Sequence, residues 1–89
     1  MKVRQAVFMT RFREDLTHWV DVDRRMALKV LKLVEAILRD PFEGEGKPEP
    51  LKYLLPDTWS RRITLEHRLI YRILENQIHF LEARYHYQG

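Results

Sequence analysis

The stretch from Trp59 to Ile73 constrains the fold more than any other part of the chain. Successive side chains of a β-strand point to opposite faces. Read as two strands joined by a turn at Leu65-Glu66-His67, the stretch sorts into two kinds of surface. Trp59, Arg61 and Ile63 share one face of the first strand, and Ser60, Arg62 and Thr64 share the other. In the second strand Leu69, Tyr71 and Ile73 form one set, and Arg68, Ile70 and Arg72 form the other. Burying Leu69, Tyr71 and Ile73 leaves Arg62, Arg68 and Arg72 in need of water, carboxylates or a polyanion, because unpaired buried charge is very costly. A guanidinium fork matches the geometry of phosphate. The arginine face is therefore either solvated surface or a seat for a phosphodiester, and the stretch alone leaves both open.

The rest of the chain supplies layers for such a sheet. Residues 3–8 read as a short strand. Thr10 fits a helix N-cap, with Glu14 and Asp15 near the positive end of the helix dipole. From Arg11 to about Val20, Phe12, Leu16, Trp19 and Val20 recur at helical spacing. Asp21 or Asp23 can cap a second helix that runs to about Arg39, where Pro41 stops it. Its apolar stripe is Ala27, Val30, Leu31, Val34, Ile37 and Leu38, and Lys29, Lys32, Glu35 and Arg39 mark the solvent side. The run from Phe42 to Pro50 holds two glycines and two prolines and predicts a loop without regular structure. Within it Pro48 and Pro50 flank Glu49 and bias it toward an extended backbone. Pro56-Asp57-Thr58 is a turn signal. Strands are expected at residues 59–64, 68–74 and 78–84, with a hairpin turn at Glu75-Asn76-Gln77. This order predicts one α+β domain over residues 1–89, with helices on one face of a small antiparallel sheet.

Several chemistries are excluded or disfavoured. The chain has no cysteine, so it has no disulfide scaffold, thiolate nucleophile or cysteine-based zinc site. His18, His67, His79 and His86 lack paired ligand spacing, and no metal site is expected. Neither a glycine-rich phosphate loop nor a GxSxG elbow is present, so no cofactor is expected. A net charge of +3 permits a polyanionic partner without demanding one. Met1 to Gln5 leads into no long apolar run, so neither a membrane span nor a signal peptide is expected, and the cytoplasm is the default location.

The remaining polar constellation is Glu49, Lys52, Arg62, Arg68, His86 and Tyr87. RNA is cut when its own 2′-OH attacks the adjacent phosphorus. That step calls for a base on the hydroxyl, an acid on the leaving 5′-oxygen and cations around the phosphorane oxygens. Glu49 can serve as the base and His86 as the acid, since histidine as a residue type titrates near neutrality. Lys52, Arg62 and Arg68 can hold the developing charge. Tyr85 and Tyr87 can stack on a base or bond a phosphate oxygen. Spacing alone does not say whether these residues meet.

Five segments go further. They are Asp40-Pro41-Phe42, Gly46-Lys47-Pro48-Glu49-Pro50-Leu51-Lys52, Trp59-Ser60-Arg61-Arg62-Ile63-Thr64, Glu66-His67-Arg68-Leu69-Ile70-Tyr71 and Arg84-Tyr85-His86-Tyr87. In this order they closely resemble the YoeB/Txe family of the RelE superfamily, whose members are toxin endoribonucleases (mRNA interferases). The resemblance covers essentially the whole chain and implies a metal-independent nuclease that cuts mRNA in the ribosomal A site and so inhibits translation. It implies Glu49 as general base, His86 as general acid, and Tyr87 as an orienting group beside it. Arg62 and Arg68 fall on phosphate-contacting positions, and Lys52 on a position near the scissile phosphate. It also implies a homodimer, neutralisation by a YefM-type antitoxin, and operator-DNA binding only through that complex. The chain departs from the family at Pro56-Asp57-Thr58, where a glycine-containing turn is common, and in the extension Gln88-Gly89. A second reading is a non-catalytic RelE-like protein that binds its antitoxin and acts in operator autoregulation. A third, a plain RNA-binding module, lacks interleaved aromatics on the central strands.

Overall fold

The computed structural model describes residues 2–85. The chain passes from β1 (Gln5–Phe8) into α1 (Thr10–Val22) and then α2 (Arg24–Arg39). After the loop come β2 (Glu49–Pro50), β3 (Thr58–Arg62), β4 (Arg68–Ile73) and β5 (Gln77–Glu82). The strand order is β1-β5-β4-β3-β2. Strands β2 to β5 pair antiparallel, while β1 lies parallel to β5. A parallel pair needs a long crossover, which the two helices and the intervening strands supply.

The core forms on one side of this sheet. Phe12 and Trp19 of α1 and Val30, Leu33, Val34 and Ile37 of α2 pack in one cluster with Leu69, Tyr71, Ile73, Ile78 and Phe80. Phe8 stacks on both Phe12 and Phe80 at 5.3 Å between ring centroids, which ties β1 and α1 to β5. Both helices thus cover the face that the apolar parity of β4 predicts, and the opposite face stays open.

Local expectations were corrected in several places. Thr10 is the first residue of α1 rather than its cap; Met9 takes the cap position without a side-chain bond. The Met9 N–H donates to the Phe80 carbonyl at 3.0 Å, so pairing with β5 decides where the helix starts. Asp23 does cap α2, accepting from the N–H groups of Arg25 and Met26. Val20, at helical spacing with Phe12, Leu16 and Trp19, and Leu31, placed in the apolar stripe of the second helix, are exposed, whereas Met26 and Leu33 are buried. Asp15, expected only to sit near the positive end of the helix dipole, is buried: its Oδ2 accepts the Ala83 N–H at 2.9 Å and its Oδ1 accepts from Arg11 Nε at 3.0 Å. Glu49 and Pro50 pair with Trp59 and Ser60 at the sheet edge, so the end of the expected irregular loop is a strand. Proline is tolerated there because an edge strand needs only one row of donors.

The loop between α2 and β2 is held by Arg61, which is fully buried. Its Nη2 donates to the carbonyls of Asp40 and Glu43, and its Nη1 donates to the Glu45 carbonyl at 3.1 Å. Its Nε donates to the Tyr71 hydroxyl at 3.2 Å, and that hydroxyl donates to the Pro41 carbonyl at 2.7 Å. Phe42 caps the assembly edge-on to Trp59 at 5.5 Å.

Two predictions follow from this packing. Tyr71→Phe removes the hydroxyl and leaves Arg61 Nε and the Pro41 carbonyl unpaired, which should cost about 1–3 kcal/mol in urea unfolding. A loss below about 0.5 kcal/mol would show that the loop does not need this bond. The second concerns Glu82. Burial pushes its carboxyl above the ordinary range, Arg11 opposes that shift, and Asp15 adds to it. The folded state therefore favours protonated Glu82, and that contribution is full below about pH 4.3 and lost as pH rises through the higher folded-state value. Glu82→Gln should raise Tm at about pH 7 and lose the advantage at about pH 3.5; an equal effect at both would refute the assignment.

Candidate functional site

Cross-strand partners share a sheet face. Glu49 lies opposite Ser60, Ser60 opposite Ile70, and Arg62 opposite Arg68. Arg72 lies opposite both Thr58 and His79. The register therefore gathers Glu49, Arg62 and Arg68 on the open face, with Glu49 one diagonal step from Arg62. Buried Ser60 and Ile70 separate the Arg62–Arg68 row from the Thr58–Arg72 row.

The approach to Glu49 is set by Gly46. Its carbonyl accepts the Arg62 N–H at 2.7 Å, which docks the loop against the end of β3. A Cβ on Gly46 would lie 3.0 Å from the Arg62 carbonyl oxygen and 3.1 Å from Arg61 Cβ, and its φ of +89° suits glycine. From that anchor Lys47 and Pro48 lead into β2, and Glu49 emerges exposed beside Ser60.

Arg62 and Arg68 face one another directly, and like charges in that relation are destabilising. Arg62, Arg68 and Arg84 each carry an Nε that is shielded from solvent and has no hydrogen-bond partner among the described residues. Among the described residues none of these three makes an ion pair. Arg72 differs: its Nε donates to the Pro56 carbonyl at 3.1 Å and so supports the loop before β3. The open face thus concentrates positive charge that a multi-oxygen anion would offset.

Of the residues proposed from sequence, Glu49, Arg62 and Arg68 share this face. Lys52 sits exposed on the loop after β2, in a shallow hollow with Pro50, Pro56 and Trp59. His86 and Tyr87 lie outside the described residues. Two residues were overlooked in the sequence. Arg84 carries the third unpartnered Nε. His67, read as part of a turn, is buried beside Arg68 and bonds the Tyr85 backbone. Its only sequence signal was its place next to Arg68. Among the described residues, no group of three or more His, Asp or Glu is placed to hold a metal ion. Likewise, no helix there is long and apolar enough to cross a membrane.

This geometry has known counterparts. Residues 8–87 match the family model described as the YoeB-like toxin of bacterial type II toxin-antitoxin systems. The toxin YoeB of Streptomyces coelicolor is 49% identical over 74 residues, covering 83% of this chain and 88% of that protein. The YoeB dimer of Staphylococcus aureus superposes with a TM-score of 0.86 at 38% identity, covering 94% of this chain and 98% of that one. In the heterotetrameric YoeB-YefM toxin-antitoxin complex of the same organism the corresponding values are 0.82, 38%, 94% and 98%.

The opposed arginines make a stability prediction. Arg68→Gln should stabilise the isolated protein at low ionic strength by about 0.2–1 kcal/mol, since it removes one of two facing like charges. The gain should shrink as salt screens the pair. Thermal unfolding in low and high salt measures both, and a salt-independent destabilisation would mean that the two charges are already neutralised.

Proposed function

The chain belongs to the YoeB-like toxins of bacterial type II toxin-antitoxin systems, and from that premise we propose that it is an endoribonuclease that cuts mRNA in the ribosomal A site. The observation that carries the reading is the open face itself, where Glu49 stands a diagonal step from Arg62, and Arg68 opposes Arg62 from the next strand with no ion pair for either arginine among the described residues. A carboxylate beside a cluster of free guanidinium donors suits a phosphodiester whose own hydroxyl is to be deprotonated.

In the proposed reaction Glu49 takes the proton of the 2′-OH as the 2′-oxygen attacks phosphorus. Arg62 and Arg68 stabilise the negative charge that builds on the non-bridging oxygens, where preorganised donors act most strongly. Lys52 supports the same phosphate from the neighbouring loop. The P–O5′ bond breaks, and His86, oriented by Tyr87, gives its proton to the departing 5′-oxygen. The products are a 2′,3′-cyclic phosphate and a 5′-hydroxyl. Every proton is moved by a side chain of this chain, so the scheme routes no step through a metal or cofactor.

The proposal extends to the partners. The relative from S. aureus is a dimer and also forms a complex with YefM. This chain is proposed to form a homodimer and to bind an acidic antitoxin of that type over the arginine face, where electrostatic attraction would steer association. Operator DNA would be reached only through that complex. Residues 1–89 are proposed to act as a single domain in the cytoplasm.

The test is single-turnover cleavage of mRNA on programmed ribosomes and of the same mRNA free in solution. Cleavage should occur within the A-site codon and be far faster on the ribosome. Glu49→Gln and His86→Gln should each lower the rate by about 10²–10⁴-fold while ribosome binding persists. Equal rates on free and translated mRNA would contradict ribosome dependence. Antitoxin binding without any cleavage by the wild-type protein would leave the non-catalytic reading in its place.

A further inference from the structure

The loop that joins β2 to β3 is held in a fixed shape. At its neck the Leu51 N–H donates to the Thr58 carbonyl at 2.8 Å. The Leu54 N–H turns back to the Leu51 carbonyl at 3.5 Å. The Pro56 carbonyl accepts from Arg72 Nε at 3.1 Å and from Thr58 Oγ1 at 3.4 Å, and the Asp57 carbonyl accepts the Ile73 N–H at 2.9 Å. Asp57 has a φ of +61°, the left-handed conformation, at the place where the family commonly has a glycine-containing turn. A residue with a side chain therefore keeps that turn here. The loop so formed encloses an open hollow of about 410 Å³ beside Pro50 and Trp59.

The register places this hollow relative to the site. Along the open face the Arg62–Arg68 row comes first and the Glu49–Ser60–Ile70 row second. Leu51 continues the ladder two residues after Glu49, in the row of Thr58 and Arg72. Rows two residues apart on a strand are separated by about 6.6–6.8 Å. Arg72 holds the Pro56 carbonyl from this face, so the loop rises on the same side as Glu49. The order along the sheet is therefore guanidinium pair, carboxylate, hollow. A ribonucleotide carries its 3′-phosphate, its 2′-hydroxyl and its base on consecutive ribose carbons, in that same order. With the phosphate at Arg62 and Arg68 and the 2′-hydroxyl at Glu49, the base of that nucleotide is directed toward the hollow.

The lining agrees with such an occupant. Leu51, Leu54, Leu55 and Pro56 offer apolar surface to the faces of a base. Lys52 and Asp57, the cation and the carboxylate of the lining, balance, so the hollow suits an uncharged group better than a second phosphate. We propose that the loop 51–57 binds the base of the nucleotide whose 2′-hydroxyl attacks phosphorus, with Leu54 and Leu55 as specificity-determining contacts. The proposal rests on the reading of Glu49 as the base for that hydroxyl. Held at its phosphate on one side and at its base on the other, the ribose between them presents its 2′-oxygen to Glu49.

Two measurements test this on the wild-type protein and on the double variant Leu54→Ala, Leu55→Ala. Leu55→Ala alone, at a side chain 56% exposed, serves if the double variant loses stability. In the first, adenosine 3′-monophosphate and ribose 3-phosphate, which lacks the base, are titrated into the free protein while the leucine methyl resonances are followed. The wild-type protein should bind the nucleotide about tenfold tighter than the sugar phosphate, the scale of covering one leucine. The methyls of Leu51, Leu54 and Leu55 should shift with the nucleotide only, and the variant should bind both ligands alike. The second is single-turnover cleavage on programmed ribosomes of mRNA that lacks the base on the 5′ or the 3′ side of the cut. Loss of the 5′ base should slow the wild-type protein about tenfold and the variant no further. Loss of the 3′ base should affect the two proteins equally.

Equal affinity of the wild-type protein for the two ligands overturns the proposal, as does nucleotide binding that leaves the leucine methyls unmoved. A 5′-base effect of the same size in the variant as in the wild-type protein also overturns it, because the base would then be held elsewhere. If the methyls respond to a YefM-type antitoxin and not to the nucleotide, the hollow is that partner's site and the proposal fails. If neither ligand binds the free protein, the cleavage measurement decides alone. If the ligands bind as expected and no mRNA is cut, the nuclease reading fails while the base site stands.

Discussion

The open face depends on a guanidinium that is not part of it. Arg61 is buried with no carboxylate partner among the described residues, and its charge is met by the carbonyl dipoles of Asp40, Glu43 and Glu45 and by the Tyr71 hydroxyl. Asp40 lies at the C-terminal end of α2, where the helix dipole is negative, so a cation there is favoured. The cost of desolvating the charge is thereby offset by several hydrogen bonds, and those bonds fold the loop back onto the sheet. One residue further along β3, Arg62 points the other way. A one-residue slip of register would exchange them, burying the free arginine and exposing the one that holds the loop.

That loop then delivers Glu49. Its path is constrained from the helix side by Arg61 and from the strand side by the bond between the Gly46 carbonyl and the Arg62 N–H. Pro48 and Pro50 stiffen the final approach, and the short β2 pairing sets which face Glu49 occupies. A carboxylate on an otherwise irregular segment is in this way placed with the precision of a strand residue. Sites carried on rigid elements hold their geometry better than sites on free loops.

The arginine row shows the opposite economy. Facing like charges and donors without partners lower stability, and a chain selected for stability alone would replace one of them. Their retention in the fold makes sense where an anion completes them. The C-terminal segment carries a similar strain in the left-handed Tyr85, held by His67 and Arg68. The strained segment and the unsatisfied row meet at Arg68, whose N–H holds Tyr85 while its side chain lies opposite Arg62.

Much of this was legible in the residue order. The alternation of Leu69, Tyr71 and Ile73 with Arg68 and Arg72 determined which face is core, because a period of two leaves a strand only that choice. The pair Asp21 and Asp23 marked the start of α2, with the structure choosing Asp23, and Pro41 marked its end, by local backbone chemistry. The resemblance carried by five short motifs identified the family that the comparisons then established. Other features were set by partners distant in sequence. Pairing with Phe80 moved the start of α1, Ala83 drew Asp15 into the interior, and Trp59 and Ser60 turned Glu49 and Pro50 into a strand. Nothing within three or four residues of Arg61 or His67 announces that one would bind a loop 16 to 21 residues back or that the other would hold a backbone 18 residues ahead. Periodicity and capping are local and can be read along the chain, whereas a buried hydrogen bond depends on which segments the sheet brings together, and only the tertiary structure decides that.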